Sequence, residues 1–104
     1  MKEDEVIGAL AALAHPVRLK VFRALVVSGS QGLTPGVMQD GLGVPAATLS
    51  FHLKELAASG LVRHERASRN LVYRAETDHM QDVLGYLVRN CCENDRGQVL
   101  RSKT

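Results

Sequence analysis

The chain has 104 residues, a net charge of +2, and only two Phe, two Tyr and no Trp, so its core must come from Leu, Val and Ala. That length makes one domain, residues 1–104, with a modest core to which a dimer interface would add useful apolar burial. No apolar run approaches the about 20 residues that span a bilayer, and the acidic start Met1-Lys2-Glu3-Asp4-Glu5 is not a signal peptide; no membrane partner and a cytoplasmic location are expected.

A first helix is predicted from Glu3 to Ala14, with Val6, Ile7, Leu10, Leu13 and Ala14 at helical spacing and acids in the first turn, where the helix dipole favours them. His15-Pro16 breaks the pattern. Proline at the first position of a helix costs little, because its missing N–H would be unpaired there anyway. A second helix is therefore expected from Pro16 to Val27, with Val17, Val21, Phe22 and Leu25 inward and Arg18, Lys20 and Arg23 mostly elsewhere. Ser28 to Gly32 reads as a loop. Thr34-Pro35 caps and starts a short third helix that runs to Gly41, and Gly43 marks the turn after it.

The fourth helix is expected from Pro45 to Ser59. Leu49, Leu53 and Leu56 fall at i, i+4 and i+7 and face inward, which leaves Thr48, Phe51, His52 and Lys54 partly or wholly outward. Two strands follow, Leu61–Glu65 and Leu71–Ala75, around the polar turn Ala67-Ser68-Arg69-Asn70. Thr77 is expected to cap a last helix whose stripe, Met80, Val83, Leu84, Leu87, Val88 and Cys91, exceeds the needs of a small core. That excess, together with the apolar first helix, predicts a homodimer through the first and last helices. Asn94 to Thr104 is a polar tail expected to fray.

The fold class is thus mainly α with a small β hairpin: a winged helix-turn-helix. A short helix, a tight turn and a second helix set the second helix against base edges in the major groove. Ala46 and Ala47 permit close approach to the backbone and to thymine methyls, Thr48 and Ser50 can hydrogen-bond, Phe51 offers an apolar contact and Lys54 can reach a phosphate. The hairpin carries Arg63, Arg66, Arg69 and Arg74 against Glu65 alone, and its tip arginines, Arg66 and Arg69, suit phosphates or the minor groove. Blander readings stand beside these: an edge hairpin that uses charge to prevent strand addition, and a Ser50 hydroxyl bonded within its own helix. The chain has no Gly-rich phosphate loop, no local Cys–His pair and no clustered carboxylates, so an enzyme is not expected.

Two stretches, Ala11-Ala12-Leu13-Ala14-His15-Pro16-Val17-Arg18-Leu19 and Thr48-Leu49-Ser50-Phe51-His52-Leu53-Lys54-Glu55-Leu56 through Gly60-Leu61-Val62, resemble the ArsR/SmtB family of bacterial metal- and stress-responsive repressors. The resemblance covers about residues 5 to 93. It implies a winged-helix homodimer that binds an inverted-repeat operator in double-stranded DNA, represses transcription and loses DNA affinity when an inducer binds. The family's cysteine site before the recognition helix has no counterpart, since Leu33 to Asp40 holds no Cys. Asp78 and His79 sit near the family's paired-helix zinc site, but the second half of that helix has no His. Asn90-Cys91-Cys92 resembles the late-helix cysteines of some arsenic-responsive members, without a third Cys downstream, where Gln98 and Ser102 stand.

Cys91 and Cys92 are the only cysteines and lie side by side in what the pattern predicts to be helix. As a small buried hydrophobe, Cys91 is covered by its place on the stripe; Cys92, rotated about 100° further round, is covered less well. A disulfide between neighbours is strained and should not persist in a reducing cytoplasm. Two soft thiolates in one place suit a thiophilic centre. With no obligatory cofactor expected, the inducer expected at this pair is a trivalent arsenical: methylarsenite on two thiols, or arsenite on thiols pooled across a dimer. Inert packing and redox sensing through intersubunit disulfides are the alternatives.

Overall fold

Residues 1–95 are described by the structure, a computed structural model. Of the polar tail only Asn94 and Asp95 fall among them; Gln98 and Ser102 lie outside. The order is α1 (Glu3–Leu13), α2 (Pro16–Ser28), a single 3-10 turn at Gly29–Gln31, α3 (Pro35–Leu42), α4 (Ala46–Ala58), β1 (Val62–Ala67), β2 (Asn70–Ala75) and α5 (Thr77–Val88).

Local chemistry sets most boundaries. His15 caps α2, its Nδ1 accepting from the Val17 amide at 3.2 Å, with Pro16 at the first helical position. Thr34 caps α3 in the same way, with Oγ1 accepting from Val37 at 3.4 Å. Gly43 ends α3 in the left-handed conformation (φ 67°). The α4 terminus is a Schellman motif: the Leu61 amide donates to the Leu56 carbonyl, the Gly60 amide to Ala57, and Gly60 has φ 82°. Thr77 does not cap α5; Glu76 holds that position, without a side-chain cap, and Thr77 is the first helical residue.

The core gathers Val6, Ala9 and Ala12 from α1, Val21, Phe22 and Leu25 from α2, Met38 from α3, Leu49, Leu53 and Leu56 from α4, Leu61 and Val62 at the start of the hairpin, and Val83 from α5. On α1 the inward face differs from the expectation. The small residues Ala9 and Ala12 go in beside Val6, while Ile7 and Leu10 are exposed. Helical spacing fits either face; the close packing of α1 against α2 and α4 selects the one with short side chains.

The hairpin is antiparallel, in register from Val62↔Ala75 to Ala67↔Asn70, so Ser68-Arg69 forms the turn. It is longer than the sequence predicts at both strands. Leu33 adds one rung, its amide and carbonyl bonded to Tyr73 at 3.0 and 2.8 Å. Gly32 is indispensable there: at φ 70°, a Cβ would lie 2.6 Å from the Tyr73 carbonyl oxygen. The rung ties the start of α3 to the wing and so fixes the helix pair against the hairpin.

Candidate nucleic-acid interface

α4 is two-faced. Leu49, His52, Leu53 and Leu56 are buried, while Ala46, Ala47, Thr48, Ser50, Phe51 and Lys54 are all exposed, as a helix that reads a groove requires. The start of the helix has no side-chain cap: Pro45 is the N-cap, outside the helix rather than its first residue, and Leu49 donates to its carbonyl at 2.9 Å. The first-turn amides therefore stay open to a phosphate or to water. Among the described residues the Ser50 hydroxyl has no hydrogen bond, which leaves it free for a ligand rather than bonded within its helix.

The basic hairpin divides into two pairs of arginines with different duties. Arg63 donates to Glu76 at 2.9 Å, and Arg74 donates to Glu65 at 2.9 Å and to the Ser30 carbonyl at 2.8 Å. These two hold the base of the wing to α5 and to the loop after α2. Arg66 and Arg69, at the tip, are exposed and have no acidic partner among the described residues. The structure thus keeps as candidate phosphate contacts the two arginines singled out in the sequence and removes the other two.

His52 departs from its sequence expectation. It is 5% exposed rather than outward, and its Nδ1 accepts from Arg18 Nε at 3.0 Å. Its ring lies 4.5 Å from that of His15 and 5.3 Å from that of Phe51, the latter edge-on. The Arg18 guanidinium carbon is 5.6 Å from the Phe51 centroid. Burial pushes the His52 pKa below its ordinary 6.5, His15 and Arg18 push it further, and Glu55 opposes them. The shift favours the neutral imidazole, and with Nδ1 as the acceptor from Arg18 its proton belongs on Nε2. Neither its burial nor its partner 34 residues away has a local signal; only the i+3 spacing from Leu49 hinted at an inward place.

The cysteines also depart from expectation. α5 ends at Val88, so Cys91 is not on its apolar stripe and neither cysteine is in the helix. Both are exposed on a run of turns, with Asn90 at φ 64° and Cys92 at φ 71°. The chain leaves the helix at Arg89, with ψ 136°, and Asn90 then turns left-handed just before them. The two thiols stay neighbours in the chain, and an interaction with the Cys92 side chain raises the pKa of the Cys91 thiol. Among the described residues no group of three or more His, Cys, Asp and Glu side chains could hold a metal ion, and His79, near the position of the family's paired-helix zinc site, packs on Gly60.

A helix-turn-helix domain family matches residues 13–65, from the end of α1 into the hairpin's first strand. The chain belongs to this family and, within it, to the winged-helix regulators of the ArsR/SmtB type. The repressor SmtB of Mycobacterium tuberculosis is 37% identical over 75 residues, 72% of this chain and 53% of that protein. The chain thus spans about half the length of the curated SmtB relatives it matches. An ArsR-like transcriptional regulator from Rhodococcus superposes with a TM-score of 0.78 at 27% identity, over 89% of this chain and 85% of that one. The transcriptional repressor BigR of Xylella fastidiosa superposes with a TM-score of 0.63 at 32% identity, over 86% and 89% of the two chains. The family is one of transcription regulators, not of enzymes. Among the described residues no helix is long and apolar enough to cross a membrane.

Proposed function

We propose that this protein is a transcriptional repressor that binds an inverted-repeat operator as a homodimer and leaves it when a trivalent arsenical bridges Cys91 and Cys92. The observation that carries DNA binding is the exposed, uncapped start of α4 beside two unpaired wing arginines. Repression is supported by the relatives, which are named as repressors.

The dimer is supported by the two terminal helices. α1 and α5 pack side by side, and their outer surface carries Ile7, Leu10, Leu84, Leu87 and Val88, each 43–63% exposed. Burying such a strip against its own copy stabilises both subunits by roughly 25 cal/mol per Å² of apolar surface removed from water. It also sets two α4 helices apart at a fixed spacing, which must match half-sites about one DNA turn apart.

The arsenical reading is supported by two thiols adjacent in the chain, both exposed, three and four residues beyond the last residue of α5. A methylarsenic dihydroxide exchanges both hydroxyls for the two thiols. Two As–S bonds form, two As–O bonds break, and the thiol protons leave in two waters, with no change in oxidation state. Closing that ring constrains the turn beside Leu87 and Val88, and so acts on the proposed dimer surface. An inducer that prefers the free dimer weakens DNA binding by the same factor. A second reading, redox control, is favoured by the exposure of both thiols, which leaves them open to a disulfide with a partner subunit.

The test is fluorescence anisotropy of the reduced protein on the DNA upstream of its own gene. Methylarsenite, arsenite and zinc are titrated separately, with a Cys91→Ser/Cys92→Ser variant in parallel. Release by an arsenical that the variant lacks supports the proposal. Tight, salt-sensitive binding indifferent to all three sinks the arsenical and leaves redox or constitutive regulation. Binding without salt dependence sinks the DNA reading itself.

A further inference from the structure

We infer that Arg18 and His52 are positioning residues for Phe51, and that this brace makes operator affinity weaken in acid. The inference rests on the DNA-binding reading above. Phe51 is 54% exposed in the middle of the outward face of α4, where a bound duplex would meet it. In a major groove its partner would be the thymine methyl, the one apolar group on a base edge there. A ring on an exposed helix face ordinarily samples several rotamers, and freezing one on binding costs affinity. Here two neighbours restrict it before any DNA arrives. His52 lies edge-on at 5.3 Å, and the Arg18 guanidinium, reaching across from α2, sits 5.6 Å from the ring centroid, within cation–π range.

Arg18 is itself held, because its Nε donates to His52 Nδ1 at 3.0 Å. That bond needs an unprotonated imidazole. The groups that act on His52 are His15, the cap of α2, Arg18 within α2 and Glu55 from its own helix; the first two repel a proton and only Glu55 attracts one. When His52 takes up a proton the acceptor is lost and two cations face each other. Arg18 must then turn away and Phe51 loses a wall. The folded chain binds this proton less readily than the unfolded chain, so stability falls as pH drops through 6.5 and levels off below the lowered folded value. Arg18 thus serves within the fold and is not a phosphate contact, although it is a cation near the candidate interface.

The experiment begins by selecting a duplex from a randomised library with the wild-type protein. Affinity is then measured by anisotropy from pH 8 to pH 5.5, for wild type, His52→Asn, Arg18→Gln and Phe51→Leu. Asn offers an amide oxygen near the place of Nδ1 and does not titrate. The expected results are equal affinity of wild type and His52→Asn at pH 8, and a wild-type loss in acid about fivefold greater than that of His52→Asn. Acid losses that arise away from His52 are common to both proteins and cancel in that ratio. Replacing the duplex thymines with deoxyuridine should weaken wild type and His52→Asn but leave Arg18→Gln and Phe51→Leu nearly indifferent. Circular dichroism melts of each variant show which are folded at the pH of the assay. Parallel pH profiles for wild type and His52→Asn would overturn the inference while leaving DNA binding intact, as would full thymine discrimination by folded Arg18→Gln. Failure to enrich any duplex would instead overturn the DNA reading on which it rests.

Discussion

α4 and α5 are helices of similar length, each with an apolar stripe, yet one is complete within the subunit and the other is not. α4 buries Leu49, Leu53 and Leu56, each at 2% exposure or less, and turns mostly small and polar residues to solvent. α5 buries only Val83 and leaves Leu84, Leu87 and Val88 at least half exposed. A helix whose apolar stripe is satisfied inside the domain has its outer face free for water or a polar ligand. A helix whose stripe is left open owes it to another apolar surface. The same periodic signal therefore points to nucleic acid at one end of the molecule and to a second subunit at the other.

That contrast is sharpest under truncation. Leu56→Ala should lower stability by about 2–5 kcal/mol, because the site is fully enclosed and cannot collapse; chemical denaturation measures it. Leu84→Ser with Leu87→Ser should leave the secondary structure intact and weaken dimerisation by roughly a hundredfold, about 2–3 kcal/mol, in sedimentation equilibrium. If that pair instead unfolds the subunit at concentrations where wild type is monomeric and folded, the stripe is part of the core and the contrast fails.

Smaller changes probe the wing. Arg66→Ala with Arg69→Ala should reduce the slope of log affinity against log salt by about 2, while Arg63→Ala should leave it unchanged and loosen the hairpin base. Equal slopes for wild type and the tip variant would remove the wing from the interface. The smallest effect is expected at the turn. Ser68 has φ 62° and Arg69 does not share the positive sign, the pattern of a type II′ turn, which prefers glycine first. Ser68→Gly should therefore stabilise the fold by about 0.5–1 kcal/mol in a thermal melt.

The elements were readable because their signals are local. His15-Pro16, Thr34-Pro35 and the Gly43 and Gly60 stops act within a few residues of where they stand, and α1 to α4 fall within two residues of the predicted ends. The outward face of α4 followed from three leucines at i, i+4 and i+7. Readings failed where a contact joins distant segments or where an apolar pattern runs past its helix. On α5 the stripe continues formally to Cys91, but the helix stops at Val88 and Asn90 turns left-handed, which moves both thiols from a helix face to an exposed turn. On α1 the spacing allowed two faces, and only packing against α2 and α4 chose Ala9 and Ala12 over Ile7 and Leu10.

Sequence alone determined the helix order, the hairpin, the adjacency of the thiols and the residues available to a groove, because caps, turns and periodicity are properties of neighbouring residues. Tertiary structure decided which charges are free. Arg63, Arg74 and Arg18 are each committed to partners 9 to 44 residues away, and Arg66 and Arg69 are not. Whether a cation can meet a phosphate depends on what already neutralises or holds it, and that is a matter of distance in space rather than along the chain.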